Sequence, residues 1–119
     1  MAKQPARLIP KAKPLPKLVF RSTYHKNLKE VLEFSVDMFG KKVAKEFYSE
    51  IKSKIVLLPK MPSMNPKCRF IDSTETKTYR NIIIRKYYII YSVKNTEITI
   101  IDIIHQSVSP ENMQNKVKN

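Results

Sequence analysis

The stretch Thr78–His105, TYRNIIIRKYYIIYSVKNTEITIIDIIH, decides the fold. It holds three apolar runs, Tyr79–Ile84, Tyr87–Val93 and Ile98–Ile104, separated by Arg85–Lys86 and Lys94–Glu97. Ile, Val, Tyr and Thr dominate, and neither Gly nor Pro interrupts the runs. β-branched and aromatic side chains pack well on a pleated surface, and runs this short are strand-length rather than helix-length. Three consecutive strands with tight connections are therefore predicted. Asn95 suits a hairpin turn, because its short side chain tolerates left-handed backbone. Arg85–Lys86 carries no comparable turn signal.

Working outward towards the N-terminus, Leu28, Val31, Leu32 and Phe39 recur at helical spacing, with Ser35 and Val36 on the same side. They predict a helix over Tyr24–Phe39, with Ser22 or Thr23 supplying an N-cap hydroxyl. The only glycine, Gly40, follows at once, where a C-cap needs positive φ. A second helix is predicted from Lys41 to Leu58 on the stripe Val43, Ala44, Phe47, Ile51, Ile55 and Leu58. Glu50 faces Lys54 one turn on, which supports a solvated outer face, and Pro59 and Pro62 stop the helix. With almost no linker between them, the helices should form an antiparallel hairpin on one face of the sheet. Lys17–Arg21 (KLVFR) reads as a short edge strand.

Between hairpin and meander, Lys60–Asn65 is loop and Asp72–Lys77 a polar link. Lys67–Ile71 (KCRFI) reads as a further strand, with Cys68 a small buried hydrophobe rather than a nucleophile. Gln106–Asn119 loses periodicity. Ser109–Pro110–Glu111 can start one helical turn, and residues 114–119 are expected as a disordered tail. Met1–Pro16 has four prolines, four basic residues and no acid. Such composition cannot repay the entropy of ordering, so it reads as a flexible basic arm, for phosphates, for a partner, or as a mere tail. The predicted class is α+β in the order β-α-α-β-β-β-β, with a mainly antiparallel curved sheet in one domain over residues 17–113.

With 119 residues the chain can bury a core without staples. A single cysteine excludes an intrachain disulfide and a cysteine-clustered metal site, and fits a reducing, cytoplasmic setting. No apolar stretch approaches the length of a membrane span. The net charge of +13 favours an anionic partner, either nucleic acid, an acidic protein or a ribonucleoprotein surface; a merely lysine-rich surface is the plainer alternative. Paired carboxylates, a phosphate-binding glycine loop and a multi-histidine site are all missing from the sequence, whose only histidines are His25 and His105. No cofactor is expected. Asp102 stands alone in an apolar strand, so it should lie on a partly exposed face or pair with Arg80 or His105.

The element order, together with YRNIIIRKYYIIYSV and ITIIDIIHQSVSPENM, resembles the RelE/ParE superfamily of bacterial type II toxins, the plasmid stabilisation proteins. Tyr79–Arg80 matches its basic residue after an aromatic, Tyr87–Val93 with Tyr91 its second central strand, and Ile98–His105 its third. Tyr24–Leu58 resembles its helical hairpin, ended by Pro59. The resemblance implies an antitoxin partner, acidic enough to meet this positive surface. It also implies one of two activities: cleavage of ribosome-bound messenger RNA, or inhibition of DNA gyrase by protein–protein binding.

A ribonuclease of this family needs a base, cations around the phosphate and a proton donor. Carried over, Arg80 would contact phosphate, His105 act as acid or base, and Tyr88 or Tyr91 stack on a base. Departures weaken this: Tyr88 stands where nucleases often have arginine, and His105–Gln106–Ser107–Val108 lacks the family's cation. Arg80, Arg85 and Lys86 are candidates for one basic patch near a hairpin end, although Arg80 and Arg85 have opposite strand parity. The reading preferred is gyrase or topoisomerase inhibition, with Arg80, Arg85, Lys86 and Tyr91 as binding residues. The alternatives are a ribosome-dependent endoribonuclease using His105, Arg80 and Tyr88, and a non-catalytic nucleic-acid-binding module using the arm.

Overall fold

The computed structural model describes residues 15–118; residues 1–14 of the expected arm and Asn119 of the expected tail lie outside it. The elements are β1 (Lys17–Phe20), α1 (Ser22–Phe39), α2 (Lys41–Val56), β2 (Thr78–Ile84), β3 (Tyr87–Val93), β4 (Glu97–His105) and α3 (Pro110–Lys118). The meander is present as expected, and the α+β architecture with an N-terminal strand and helical pair holds. The four strands lie in the order β1-β4-β3-β2. β2, β3 and β4 pair antiparallel, whereas β1 joins β4 in parallel, from Lys17 opposite Glu97 to Phe20 opposite Ile100.

The β3–β4 register shifts between Ile90 and Tyr91, which oppose Asp102 and Ile100. One extra residue in β4 is a bulge, and it resets which side chains face which side. Ile98 and Ile100 before it, and Ile103 after it, all reach the helical face, where Ile82, Ile84, Ile89 and Tyr91 join them. There they meet Tyr24 and Leu28 of α1 and Phe47, Ile51 and Ile55 of α2, with Leu58 just beyond. The opposite face carries Ile90, Ile101 and Ile104, packed with Cys68, Ile71, Met113 and Val117. The sheet is thus covered on both sides, which its near-continuous apolar strands require.

Gly40 ends α1 and begins α2 at φ 92°, its N–H donating to the Val36 carbonyl at 2.9 Å. Only glycine takes that backbone cheaply, so the chain's one glycine sits where the hairpin turns. The β2–β3 turn was unmarked in sequence, yet Arg85 adopts φ 54° there, the positive φ that tight hairpins favour.

Four expectations are corrected. Lys67–Ile71 is not a strand: it makes a single bridge, Lys67 to Arg80, and then turns. Cys68 and Ile71, three apart, both point inward, which two-residue strand alternation does not allow. The α1 helix starts at Ser22 with Arg21 as its cap and no side-chain capping bond, so neither hydroxyl acts as the N-cap. The single C-terminal turn is instead a helix, Pro110–Lys118, running through most of the expected tail. Met113 and Val117, one turn apart, are both buried and hold it to the sheet. Finally, Glu50 pairs with Arg85 at 3.1 Å across to the β2–β3 turn rather than with Lys54.

Candidate functional site

Arg80 and Tyr91 are cross-strand neighbours on β2 and β3 and share the helical face. The Arg80 guanidinium donates to the Asn65 carbonyl at 2.7 Å, and the Tyr91 hydroxyl donates to the Pro62 carbonyl at 3.0 Å. Asn65 Nδ2 donates back to the Tyr91 hydroxyl at 3.2 Å. Tyr91 is fully buried, and burial pushes its phenol up, with Asn65 and the Arg80 charge pulling partly back. The two side chains tie the loop after α2 to the sheet, and Tyr91 offers no face for stacking a base.

Arg85 sits at the far end of β2, five residues on, roughly 16 Å away by strand rise. Its guanidinium pairs with Glu50 and lies 4.8 Å from the centre of the Phe47 ring. Lys86 beside it is exposed. Arg80, Arg85 and Lys86 therefore do not converge on one patch.

His105 ends β4 opposite Tyr87, whose ring it meets edge-on at 5.1 Å. The Ser107 N–H donates to His105 Nδ1 at 3.0 Å, and the Ser107 hydroxyl lies 2.8 Å from the same nitrogen. The imidazole thus closes a local turn with one ring edge outward. Tyr88 points to the opposite sheet face, against Phe70 at 5.9 Å. Arg80 is about four residues from the His105 level along β3, roughly 13 Å, and two strands across. The three candidate catalytic residues are not brought together.

Asp102 pairs with neither Arg80 nor His105. It is buried just beyond the bulge, accepting from Asn27 Nδ2 at 2.7 Å and from the Ile103 N–H at 2.8 Å. Burial pushes its carboxyl up; Asn27, the Ile103 amide and the Lys116 charge pull it back. Cys68 is buried and its thiol is pushed up by burial, which fits a small hydrophobe and not a thiolate nucleophile. Among the described residues, no group of three His, Cys, Asp or Glu side chains is placed to hold a metal ion, and no helix is long and apolar enough to cross a membrane.

A further surface feature lies on the helical hairpin. Three shallow depressions there share Tyr48 as a wall, one of them about 310 Å³ between β1 and α2. Their linings are apolar, with Lys29, Lys41, Lys45 and Lys52 among them and Glu33 the single acid. The sequence signal was an aromatic, Tyr48, set among lysines on the supposedly solvated side of α2. Burial and Tyr48 push the neighbouring Tyr24 phenol up to about 12.

A parallel strand and helical hairpin leading into an antiparallel meander, with a basic exterior, define a chain of the RelE/ParE superfamily, in agreement with the resemblance read from sequence. Residues 18–110 match the family described as the ParE toxin of the type II toxin–antitoxin system parDE, and the chain belongs to that family. It is accordingly the toxin-type component of a two-part toxin–antitoxin system. The fold is also that of a solved chain titled "Chromosomal ParDE TA system from P. aeruginosa", at TM-score 0.62 and 15% identity, covering 76% of this chain and 96% of that one. No curated protein sequence matches closely enough to count as a relative.

Proposed function

We propose that this chain is a toxin that acts by binding DNA gyrase or a related topoisomerase, and that an acidic antitoxin silences it. The observation that carries the reading is the dispersal of the candidate catalytic set: Arg80 is engaged with the Asn65 carbonyl, while Tyr88 and His105 lie on opposite sides of the sheet. Phosphodiester cleavage by side chains needs base, cation and acid within hydrogen-bond reach of one phosphate. Protein–protein inhibition has no such requirement, and family membership supports both the toxin role and the antitoxin partner. The net charge of +13 favours an acidic partner by electrostatic steering.

The test is induced expression in a bacterial host, with separate pulse labels for DNA, RNA and protein synthesis. Early arrest of DNA synthesis with intact messenger is expected. Early arrest of translation with cut messenger would instead establish the ribonuclease reading, and normal growth with folded protein present would count against both.

A further inference from the structure

Charge is sorted around α2. Lys41, Lys45, Tyr48 and Lys52 follow one another at alternating four- and three-residue steps, which stacks them in one stripe along the helix. The acids Glu46 and Glu50 fall on the other side, where Glu50 meets Arg85. Facing the stripe, α1 contributes Lys29 and a single acid, Glu33. Between the two helices open depressions of about 330 and 190 Å³, and Leu32, Val36 and Tyr48 line both.

The start of α2 lies at one end of this groove. No side chain caps it, and its first turn holds no acid. The Ala44 N–H is the first to bond back into the helix, to the Gly40 carbonyl at 3.2 Å. The N–H groups before it carry the positive end of the helix dipole, a natural seat for a phosphate, and Lys41 and Lys45 stand beside them. Further along, Tyr48 is 39% exposed and the Lys52 ammonium lies 4.6 Å from the centre of its ring. A stacking surface and a phosphate contact are thus held side by side. Acidic peptide could use the lysines equally well. The flat exposed ring set among them favours a strand that carries bases as well as charge.

We propose that the α1–α2 groove binds single-stranded DNA, a run of about four nucleotides. One phosphate sits at the start of α2 with Lys41 and Lys45, a base stacks on Tyr48, and the following phosphates meet Lys29 and Lys52. From Lys41 to Lys52 the helix rises about 16 Å, which sets the length of strand engaged. The site stands on these cations and this ring. It rests on the toxin reading only for taking DNA, the substrate of a topoisomerase, rather than RNA.

The full chain is titrated by fluorescence anisotropy against a labelled oligothymidylate of about ten nucleotides. An abasic strand, an oligouridylate and a glutamate peptide, all of the same length, run beside it. Affinity for the oligothymidylate should fall with salt on a log–log slope of about −2 to −3, the value for three or four neutralised phosphates on a single strand. The abasic strand, equal in charge, should bind about fivefold or more weakly, and neither the peptide nor the oligouridylate should bind more tightly than the DNA. Lys41→Ala with Lys45→Ala should flatten the slope by about 1 or more. Tyr48→Leu should reproduce the abasic loss and Tyr48→Phe should not, with each variant's fold checked by its unfolding midpoint. Lys94→Ala, exposed in the β3–β4 connection, should change nothing. An equal loss from Lys94→Ala would show a merely lysine-rich surface and overturn the site, as would equal binding of the abasic strand or tighter binding of the peptide. Tighter binding of the oligouridylate would overturn the choice of DNA. Growth arrest on expression together with no DNA binding overturns the site and leaves the toxin reading intact. Binding by a chain that does not arrest growth supports the site while the toxin reading fails on its own.

Discussion

The two faces of the central sheet are both buried, but they are buried by different means. One is closed by α1 and α2, two long helices whose apolar stripes meet Ile82, Ile84, Ile89, Ile98, Ile100 and Ile103. The other is closed by the turn around Cys68–Ile71 and the nine-residue α3, which contribute Cys68, Ile71, Met113 and Val117. The helical face is a core in the ordinary sense, built by elements that span the sheet. The second face is sealed by a short turn and a terminal helix. A short helix is marginal alone and depends on its packing, so the second face should open locally while the first opens only with global unfolding.

The largest effect should come from Ile51→Ala, at a fully buried α2 position against the sheet. A loss of about 2–5 kcal/mol is expected, read as a fall in denaturant midpoint with the transition slope unchanged. Met113→Ala, also at a fully buried position, sharpens the comparison. Its cost should fall near the low end, about 2 kcal/mol. Amide protection should vanish along α3 while β3 keeps its own; uniform loss in both would break the distinction between the faces.

A smaller and pH-dependent effect attaches to Asp102. Its folded carboxyl titrates above the ordinary carboxylate value because it is buried. The folded state therefore holds that proton to higher pH than the unfolded chain does. Stability should fall as pH rises from the ordinary carboxylate value through the raised folded one, and then level off. Asp102→Asn removes this slope, so the difference between the two proteins' stability–pH curves should isolate it; parallel curves would show that the burial is not felt. The smallest effect belongs to Glu50→Gln. The Glu50–Arg85 pair is about two-fifths exposed on each side, so a change under about 0.5 kcal/mol is expected in urea unfolding.

The same contrast explains what the sequence disclosed. The helical face was legible because Phe47, Ile51 and Ile55 repeat with the helix and Gly40 sits alone at the turn. The strands were legible because Tyr79–Ile104 is too rich in β-branched residues to be anything but sheet. The second face was misread because its cover is sparse. Cys68 and Ile71 sit in a turn that looks like a short strand, and Met113–Val117, a pair one helical turn apart, is embedded in polar sequence. That spacing was the available signal. The β4 bulge had none, since Ile100, Ile101, Ile103 and Ile104 hide which of them face inward. Of the candidate site, the identities of Arg80, Tyr91 and His105 were visible but their partners were not. Asn65 and Pro62 lie far enough away in sequence that no local pattern couples them to Arg80 and Tyr91.

The central claim, inhibition by binding without a catalytic set, is tested most directly by the double substitution His105→Ala with Tyr88→Phe, expressed beside the parent chain. His105 is exposed, and Tyr88→Phe keeps the ring against Phe70, so the fold should survive and can be checked by the unfolding midpoint. The account predicts that growth arrest, and the early stop in DNA synthesis, persist undiminished. Loss of arrest in a folded double variant would contradict it and return His105 and Tyr88 to a catalytic role.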